Sequence, residues 1–483
     1  MITLRPLLPV LAALATAAAG PPVHAQDLRL LDAQCVDVEA GAIVRASLWI
    51  DDGVVRARGN PDGGDLPEPA AAARSVDLEG AYLLPGLVDL RVYGDVQRSP
   101  GHRDSLGVVG ASTLALAAGT VAVLDVFATS DVLTDDGARW MAGAPLLVAP
   151  GGAGSDFPSV RTIGGPEQAR SVVREATPRS GPLHVILDRS QPSRLDPETL
   201  SAVLEAARDS GVDVAVEVGG WSDAELALDR GARWLVRIPD GPAPDGLRSR
   251  IADLGADLVW TPQLTVGLDL AALVATPELR DDPLLARVLP DTMHDDFGRV
   301  RVPQTRIAEV DARRQQAYET LRLLASSDAR LRAGSGAGAV GTALGFSLTR
   351  EVEAWIEAGV DPWDALRAVT VDGARVLDID LGFEPGDAGD FVVLPASPVT
   401  DPTALRRAES VVRGGRLHDP EVLAAGVTHR IVEDMPDNPL PGGGRVPLIV
   451  IVVAGFAVLL FVRRAIKRAA ARALAEDEGP KVD

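Results

Sequence analysis

Short apolar runs and the turns between them define the predicted elements of the chain. From Leu28 to Asp89, short β-branched runs alternate with turns, and Ser47 to Val55 predicts a hairpin with an Asp–Gly turn. After Pro85, apolar strands alternate with helical segments, which predicts βα units and a parallel sheet. After residues 361–366 the chain returns to β patterning, so a β-rich segment is expected on each side of the βα region.

The βα region contains eight candidate strands, the number that a (β/α)8 barrel of the TIM type requires. The helix predicted over residues 196–210 is the clearest between them, because it begins with Asp–Pro and stops before Gly211. The long connection at residues 268–327 predicts a mostly helical insertion that acts as a lid. The candidate strands end near Tyr93, Phe127, Ala149, Asp188, Val218, Pro239, Leu264 and Gly336.

Apolar segments near both ends of the chain predict targeting to a membrane. Residues 1–25 predict a secretory signal peptide, because an apolar run follows Arg5 and small residues precede Gln26. Residues 446–462 are uncharged and apolar, which predicts a transmembrane helix, and the basic tail 463–483 is expected to stay in the cytoplasm. The predicted protein is therefore held at the cytoplasmic (inner) membrane by a single helix. Its bulk is expected to be extracytoplasmic, and periplasmic in a Gram-negative cell.

Charge and cysteine content narrow the possible classes of protein. The formal net charge of −21 argues against a nucleic-acid partner and favours a well-solvated surface. The single cysteine, Cys35, excludes an intramolecular disulfide framework, and we expect it to be a buried strand residue.

Four motifs occur in an order and at spacings that fit one enzyme superfamily. They are Leu84-Pro85-Gly86-Leu87-Val88-Asp89, Ala118-Gly119-Thr120-Val121, Ala333-Gly334-Ser335-Gly336-Ala337-Gly338 and Glu384 to Leu394. With these motifs, residues 27–418 resemble the amidohydrolase superfamily, in its imidazolonepropionase-like branch. The resemblance implies an α/β fold, with a (β/α)8 barrel at residues 85–380 and a small β-sandwich from residues 27–84 and 381–418. Residues 419–445 are then the expected linker to the membrane.

The resemblance also implies a divalent metal such as zinc at the C-terminal ends of the barrel strands. The usual ligands are two histidines on strand 1, a carboxylated lysine on strand 4, one histidine on each of strands 5 and 6, and an aspartate on strand 8. The corresponding positions here hold Arg91 and Tyr93, Val185 and Ile186, Glu217, Arg237, and Gly336. The ligand pattern is degenerate, so no cofactor is predicted; zinc or another divalent metal is expected only if other ligands replace these.

The histidines elsewhere in the chain do not restore the pattern. His184 lies in an apolar strand and is expected in the barrel wall. His102 forms a His-x-Asp pair with Asp104 in the loop after strand 1, a pattern more typical of a loop contact than of a catalytic unit. His294 is expected to be solvated in the helical insertion.

Arg91 and Arg237 limit what can occupy the vacated metal position. A guanidinium group stays charged and only donates hydrogen bonds, so it repels a cation. One interpretation is a buried ion-pair network in which both arginines face Glu217. The other is a ligand-binding site for an anion or carboxylate, built from Arg91, Tyr93 and Arg237, because the planar guanidinium suits such ligands. Ser335 is a further candidate for contact with a small anion.

Three functions stay open from the sequence, so it does not decide whether the chain is an enzyme. The main prediction is a membrane-anchored, catalytically inactive amidohydrolase-like protein that binds a protein partner or a small anionic ligand. One alternative is a metal-dependent hydrolase of C–N bonds in amides, cyclic amides or peptides. The other is a metal-independent enzyme on the same barrel, with Glu217 and Tyr93 as candidate catalytic residues.

Overall fold

The computed structural model describes residues 27–68, 73–99, 101–152, 154–155, 157–176, 181–188, 193–301 and 303–431. The predicted signal peptide, the predicted transmembrane segment and the basic tail lie outside these residues.

The first part of the described chain is β-rich, as its apolar alternation predicts. Its strands are β1 (Leu28–Asp37), β2 (Ala42–Asp51), β3 (Val54–Gly59), β4 (Arg74–Asp77) and β5 (Tyr82–Pro85). Strands β2 and β3 pair in antiparallel fashion, which confirms the predicted hairpin. Its turn residues Asp52 and Gly53 have φ angles of +53° and +69°, the left-handed geometry that an Asp–Gly hairpin turn favours.

The middle of the chain alternates strands with helices. Its strands are β6 (Leu87–Val92), β7 (Val96–Arg98), β8 (Arg103–Ser105), β9 (Thr120–Asp125), β10 (Arg139–Ala142), β11 (Leu146–Val148), β12 (Val160–Thr162), β13 (Leu183–Leu187), β14 (Val214–Val218), β15 (Trp234–Val236), β16 (Val259–Thr261) and β17 (Arg330–Leu331). Its helices are α1 (Gly107–Ala117), α2 (Pro166–Ala176), α3 (Pro197–Asp209), α4 (Trp221–Asp229), α5 (Asp245–Leu254), α6 (Thr265–Ala275), α7 (Pro277–Arg280), α8 (Pro283–Val288), α9 (Asp291–Arg299), α10 (Gln304–Ser326), α11 (Phe346–Ala358), α12 (Pro362–Val369) and α13 (Val371–Val376).

The parallel strands form two hydrogen-bonded sheets instead of the single closed sheet that the sequence predicts. One sheet has the order β10-β9-β6, and the other has the order β12-β11-β13-β14-β15-β16-β17. The break between β10 and β11 falls at Gly143-Ala144-Pro145, where proline has no N–H to donate to a ladder. On the opposite side, Leu90 N donates to Ala333 O at 3.0 Å, so the backbone after β17 lies against β6.

The helical connection predicted at residues 268–327 is present as helices α6 to α10. Leu285, Met293 and Phe297 from this insertion bury their side chains together with Phe346 of α11. The insertion therefore packs against α11 through a shared apolar cluster.

The last described part of the chain returns to the first sheet. It contains β18 (Phe391–Leu394), β19 (Ser410–Arg413), β20 (Arg416–His418), α14 (Pro420–Ala425) and β21 (Arg430–Ile431). Strand β18 pairs with β5, which gives the order β20-β19-β18-β5-β1-β2-β3, with β4 attached to β1. Both flanks thus share one eight-stranded sheet, where the resemblance implies a sandwich. Its buried side includes Cys35, as predicted, and burial raises the pKa of that thiol to about 12.

The predicted fold class, a barrel and sandwich with a C-terminal transmembrane helix, is wrong as stated. Within the described ranges, no helix is long and apolar enough to cross a membrane. The 23-residue helix α10 is the longest described, and it exposes charged residues such as Asp311 and Glu319. The same finding contradicts two further predictions: that a helix embeds the chain in the membrane, and that the bulk of the chain is extracytoplasmic. The described residues have a mixed α/β fold. Residues 446–462 lie outside the described residues.

The Pro–Gly turn of the first motif has a packing reason in this fold. Gly86 joins β5 to β6, and its N–H donates to Asp390 O at 2.9 Å. A Cβ atom at this position would lie 2.3 Å from Cγ1 of Val121 on β9. The glycine therefore lets the first sheet approach the second parallel strand.

We expect Gly86→Ala to destabilise the fold by about 1–3 kcal/mol, because the added methyl overpacks this contact. Chemical denaturation measures the change, and Val121→Ala should relieve part of it in the double variant. Gly165→Ala is the matched control, since no atom lies within 4 Å of a Cβ added there. An equal loss in both glycine variants would contradict the packing explanation.

Candidate functional site

A buried arginine occupies the carboxyl end of the first parallel strand. Arg91 lies on β6 with 1% of its surface exposed. Its Nη2 donates to Oε2 of Glu217, its Nη1 bonds Nδ1 of His184 at 2.6 Å, and its Nε donates to the hydroxyl of Tyr93 at 3.3 Å. A buried cation needs such partners, because burying a charge without a partner costs several kcal/mol of free energy.

Glu217 connects the buried arginine with a more accessible one. It lies on β14, and its Oε1 is 3.6 Å from Nη1 of Arg237, which follows β15. The side chain of Glu217 is 14% exposed and that of Arg237 is 36% exposed. The carboxylate thus stands between two guanidinium groups, and the Arg237 side of the pair faces solvent.

The protonation of His184 follows from its partner. Burial, and secondarily the charge of Arg91, lower the pKa of His184 well below its ordinary value. The ring is therefore neutral at physiological pH. Since Arg91 can only donate, Nδ1 of His184 must accept, and the ring proton lies on Nε2. In this arrangement His184 fixes the guanidinium plane and carries no charge.

Tyr93 and the two glycines after β17, Gly334 and Gly336, also lie against Arg91 or its partners. Tyr93 donates its hydroxyl to Oε1 of Gln263 at 3.3 Å, and the Arg91 guanidinium lies 5.4 Å from the centre of the tyrosine ring. A Cβ on Gly334 would lie 2.9 Å from Cβ of Arg91. A Cβ on Gly336 would lie 3.2 Å from the Tyr93 ring. An aspartate in place of Gly336 would therefore collide with the residues that fill this site.

Ser335 belongs to a separate contact on the buried side of β6. Its N–H and its hydroxyl both bond the carboxyl group of Asp89, whose Oδ1 also accepts from the backbone N–H of Arg91. Burial raises the pKa of Asp89 to about 6, and these hydrogen bonds oppose the shift. The Asp89–Ser335 pair therefore connects the backbone after β17 to β6.

Two of the seven described non-glycine residues with positive φ lie at neighbouring strand ends beside the site. Arg237 and Gln263, which follow β15 and β16, have φ angles of +72° and +50°. Such left-handed non-glycine residues cost roughly 1–3 kcal/mol and cluster at functional sites. The buried carboxylate of Glu351 on α11 accepts from the N–H groups of Leu264 and Thr265 at 2.9 Å each and so holds this turn.

A cleft of about 230 Å³ opens beside these two strained residues. It is lined by Arg237 and Gln263, and by Asp240 and Arg313, which form an ion pair at 2.7 Å. Arg237 is therefore accessible from this cleft, whereas Glu217 is not among the residues that line it.

The residues around Arg91 do not fit a resident divalent metal. Across the described ranges, no three His, Cys, Asp or Glu side chains gather in an arrangement that could hold a metal ion. The guanidinium groups of Arg91 and Arg237 add positive charge where a cation would have to bind. This donor set therefore favours a carboxylate or an oxyanion over a cation.

The structure brings together four of the five candidate residues that the sequence singles out. Arg91, Tyr93, Glu217 and Arg237 form one network, whereas Ser335 points to Asp89. Sequence reasoning missed that His184 and Gln263 belong to the network. For one of them a signal was available, since the polar Gln263 lies two residues beyond the short strand β16.

The predicted His102–Asp104 loop pair is wrong in its partners. His102 bonds Asp296 on α9, and Asp104 bonds His429 near the end of the described chain. The β7–β8 hairpin is thereby attached to the helical insertion on one side and to the C-terminal segment on the other.

Comparisons with known proteins agree with the fold. No protein-family model and no curated protein matches the chain. Among solved structures, an amidohydrolase matches with 17% identity and a TM-score of 0.60, covering 82% of this chain and 99% of that one. A prolidase complexed with N-methylphosphonate-L-proline matches with 18% identity and a TM-score of 0.60, covering 81% and 99%. A bottromycin amidohydrolase matches with 20% identity and a TM-score of 0.57, covering 86% and 91%.

These likenesses confirm the resemblance to the amidohydrolase superfamily at the level of the fold. The chain has the fold of amidohydrolase and prolidase structures over more than four fifths of its length. At these identities the likeness shows the fold and not the activity of this chain.

We expect Glu217→Ala to destabilise the fold by about 3 kcal/mol, because it leaves the buried Arg91 charge without its carboxylate. Adding Arg91→Met should recover much of this loss, since the uncompensated charge is then removed. Chemical denaturation measures both changes. Glu205→Ala on α3, where the carboxylate is 59% exposed, is the control and should change stability little. A loss no larger than that of the control would contradict the pairing.

The raised pKa of Asp89 predicts a pH-dependent contribution to stability. The folded protein keeps the Asp89 proton up to about pH 6, whereas the unfolded chain releases it near the ordinary value of 3.8. The stabilisation from the Asp89 proton is complete below pH 3.8 and is lost as the pH rises through about 6. The stability of the native chain relative to Asp89→Asn should therefore fall by roughly 2–3 kcal/mol between pH 4 and pH 7.

Urea unfolding at several pH values measures this difference. Asp253→Asn, at an exposed carboxylate, is the control. A difference between the native chain and Asp89→Asn that stays constant with pH would rule out the raised pKa.

Proposed function

We propose that the chain hydrolyses a C–N bond in an amide, a cyclic amide or a peptide, with arginine in place of a metal ion as the source of positive charge. The observation that carries the proposal is the partly exposed Glu217 carboxylate between Arg91 and Arg237, at the carboxyl ends of parallel strands. This is the end of the sheet at which enzymes of such folds keep their active sites. The amidohydrolase and prolidase neighbours support hydrolysis better than they support a catalytically inactive protein.

The roles of the residues follow from exposure and charge. Glu217 takes a proton from a water molecule that attacks the carbonyl carbon, and Arg237 donates hydrogen bonds to the oxyanion that forms. The C–N bond then breaks, and the proton on Glu217 passes to the departing nitrogen. Arg91 is 1% exposed, so it positions Glu217 and does not touch the ligand. Tyr93, bonded to Arg91 and Gln263, holds the guanidinium from the side of the strained turn.

A second candidate is binding of the same class of ligand without hydrolysis. It is favoured by the two guanidinium groups that already compensate the Glu217 charge. The Glu217 carboxylate is already paired on both sides, whereas Arg237 lines the adjoining cleft and remains available to a ligand.

The test measures amine release by the purified full chain from dipeptides, N-acyl amino acids and cyclic amides. Assays run with a chelator and with added zinc, and the metal content of the protein is determined. We expect turnover that survives chelation. Glu217→Gln should slow it roughly 10²–10⁴-fold, and Arg237→Gln roughly 10²-fold.

Glu205→Gln on α3 is the matched control and should leave the rate unchanged, because its carboxylate is exposed and lies on a helix away from the site. Turnover that appears only with stoichiometric zinc would establish a metal-dependent hydrolase and overturn the proposal. Saturable binding that depends on Arg237, with no turnover under any condition, would overturn hydrolysis and support the second candidate.

A further inference from the structure

A second cluster of arginines lies at the opposite ends of the same strands. Arg233 immediately precedes β15, Arg330 begins β17, and Arg332 follows β17. Together with Arg208 near the end of α3, they line a cleft of about 240 Å³. Val214, the first residue of β14, also lines it. The cleft therefore opens at the amino ends of these strands, and the Glu217 site lies at their carboxyl ends.

The positive charge of this cleft is only partly compensated by carboxylates. Arg332 pairs with Asp372 at 3.3 Å. No described carboxylate forms an ion pair with Arg208, Arg233 or Arg330, which are all exposed. Asp213 is the one acidic residue among the side chains that line the cleft.

The pKa of Arg332 also reflects the neighbouring positive charges. Burial lowers the pKa of Arg332; Asp372 opposes the shift, and the positive charges of Arg330, Arg367 and Arg375 add to it. Arginines are thus close enough to raise the cost of one another's charge. A local excess of positive charge in a cleft attracts anions, even on a chain whose formal net charge is −21.

The shape of the cleft suits a compact anion with several oxygens. Gly231 leaves room for a guanidinium, because Nη2 of Arg208 lies 3.3 Å from the position that a Cβ there would take. Trp234 and Val259 provide apolar walls beside the arginines. Planar guanidinium groups from different elements can each direct two N–H donors at one phosphate.

We propose that this basic cleft, formed by Arg208, Arg233, Arg330 and Arg332, binds a phosphate group, free or as a small phosphate monoester. The proposal does not depend on the function of the Glu217 site, because it rests on different residues at the other ends of the strands.

Calorimetric titration of the full chain tests the proposal, with inorganic phosphate, glycerol phosphate and chloride as probes at constant ionic strength. We expect saturable binding of phosphate or of the ester, and none of chloride. Tighter binding of the ester would assign a monoester as the ligand, and tighter binding of inorganic phosphate would assign the free anion. The double variant Arg233→Gln/Arg330→Gln should weaken binding at least about tenfold, as expected from the loss of two charge-assisted contacts.

Two further variants separate a built site from general attraction to positive charge. Arg248→Gln removes an exposed arginine on α5 outside the lining and should leave phosphate affinity unchanged. Asp213→Asn removes the acidic lining residue and should tighten binding, a gain that loss of folding cannot produce. Absence of saturable phosphate and ester binding, or an equal weakening by Arg248→Gln, would overturn the proposal.

Discussion

The buried charge of Arg91 is the constraint on which the centre of this structure depends. A guanidinium with 1% exposure has to find its partners inside the protein. Glu217 and His184 supply them from β14 and β13, and Tyr93 supplies a third from just beyond β6. The charge thus ties together side chains from both parallel sheets. It also sets the neutral state and the tautomer of His184, because a donor on one ring nitrogen places the proton on the other.

The side chains of Arg91 and Tyr93 also explain the glycine-rich turn after β17. Gly334 and Gly336 leave the volume that Arg91 and Tyr93 fill, and a side chain at either position would meet them. The glycines of this turn therefore have a steric reason, which is the close approach of the backbone after β17 to β6.

Much of the secondary structure was predictable, because its signals are local. The Asp–Gly hairpin at Asp52 and the capped helix that begins after Asp196 depend on neighbouring residues, and both are present. The closed barrel was not predictable in the same way. Whether β10 continues into β11 depends on Pro145 and on which neighbour each short strand meets. The partners of His102 and Asp104 were also missed, since each lies far away along the chain.

The sequence by itself determined the order of the elements, the resemblance of the fold and the residues Arg91, Tyr93 and Gly336 at positions where that resemblance implies metal ligands. These follow from residue identity and from spacing along one strand or turn. The tertiary structure decided which charges meet. It placed Glu217 between Arg91 and Arg237 at one end of the strands, and Arg233 beside Arg330 at the other. The reason is that electrostatic energy depends on distance through space and on burial, and neither is encoded in any single segment of the chain.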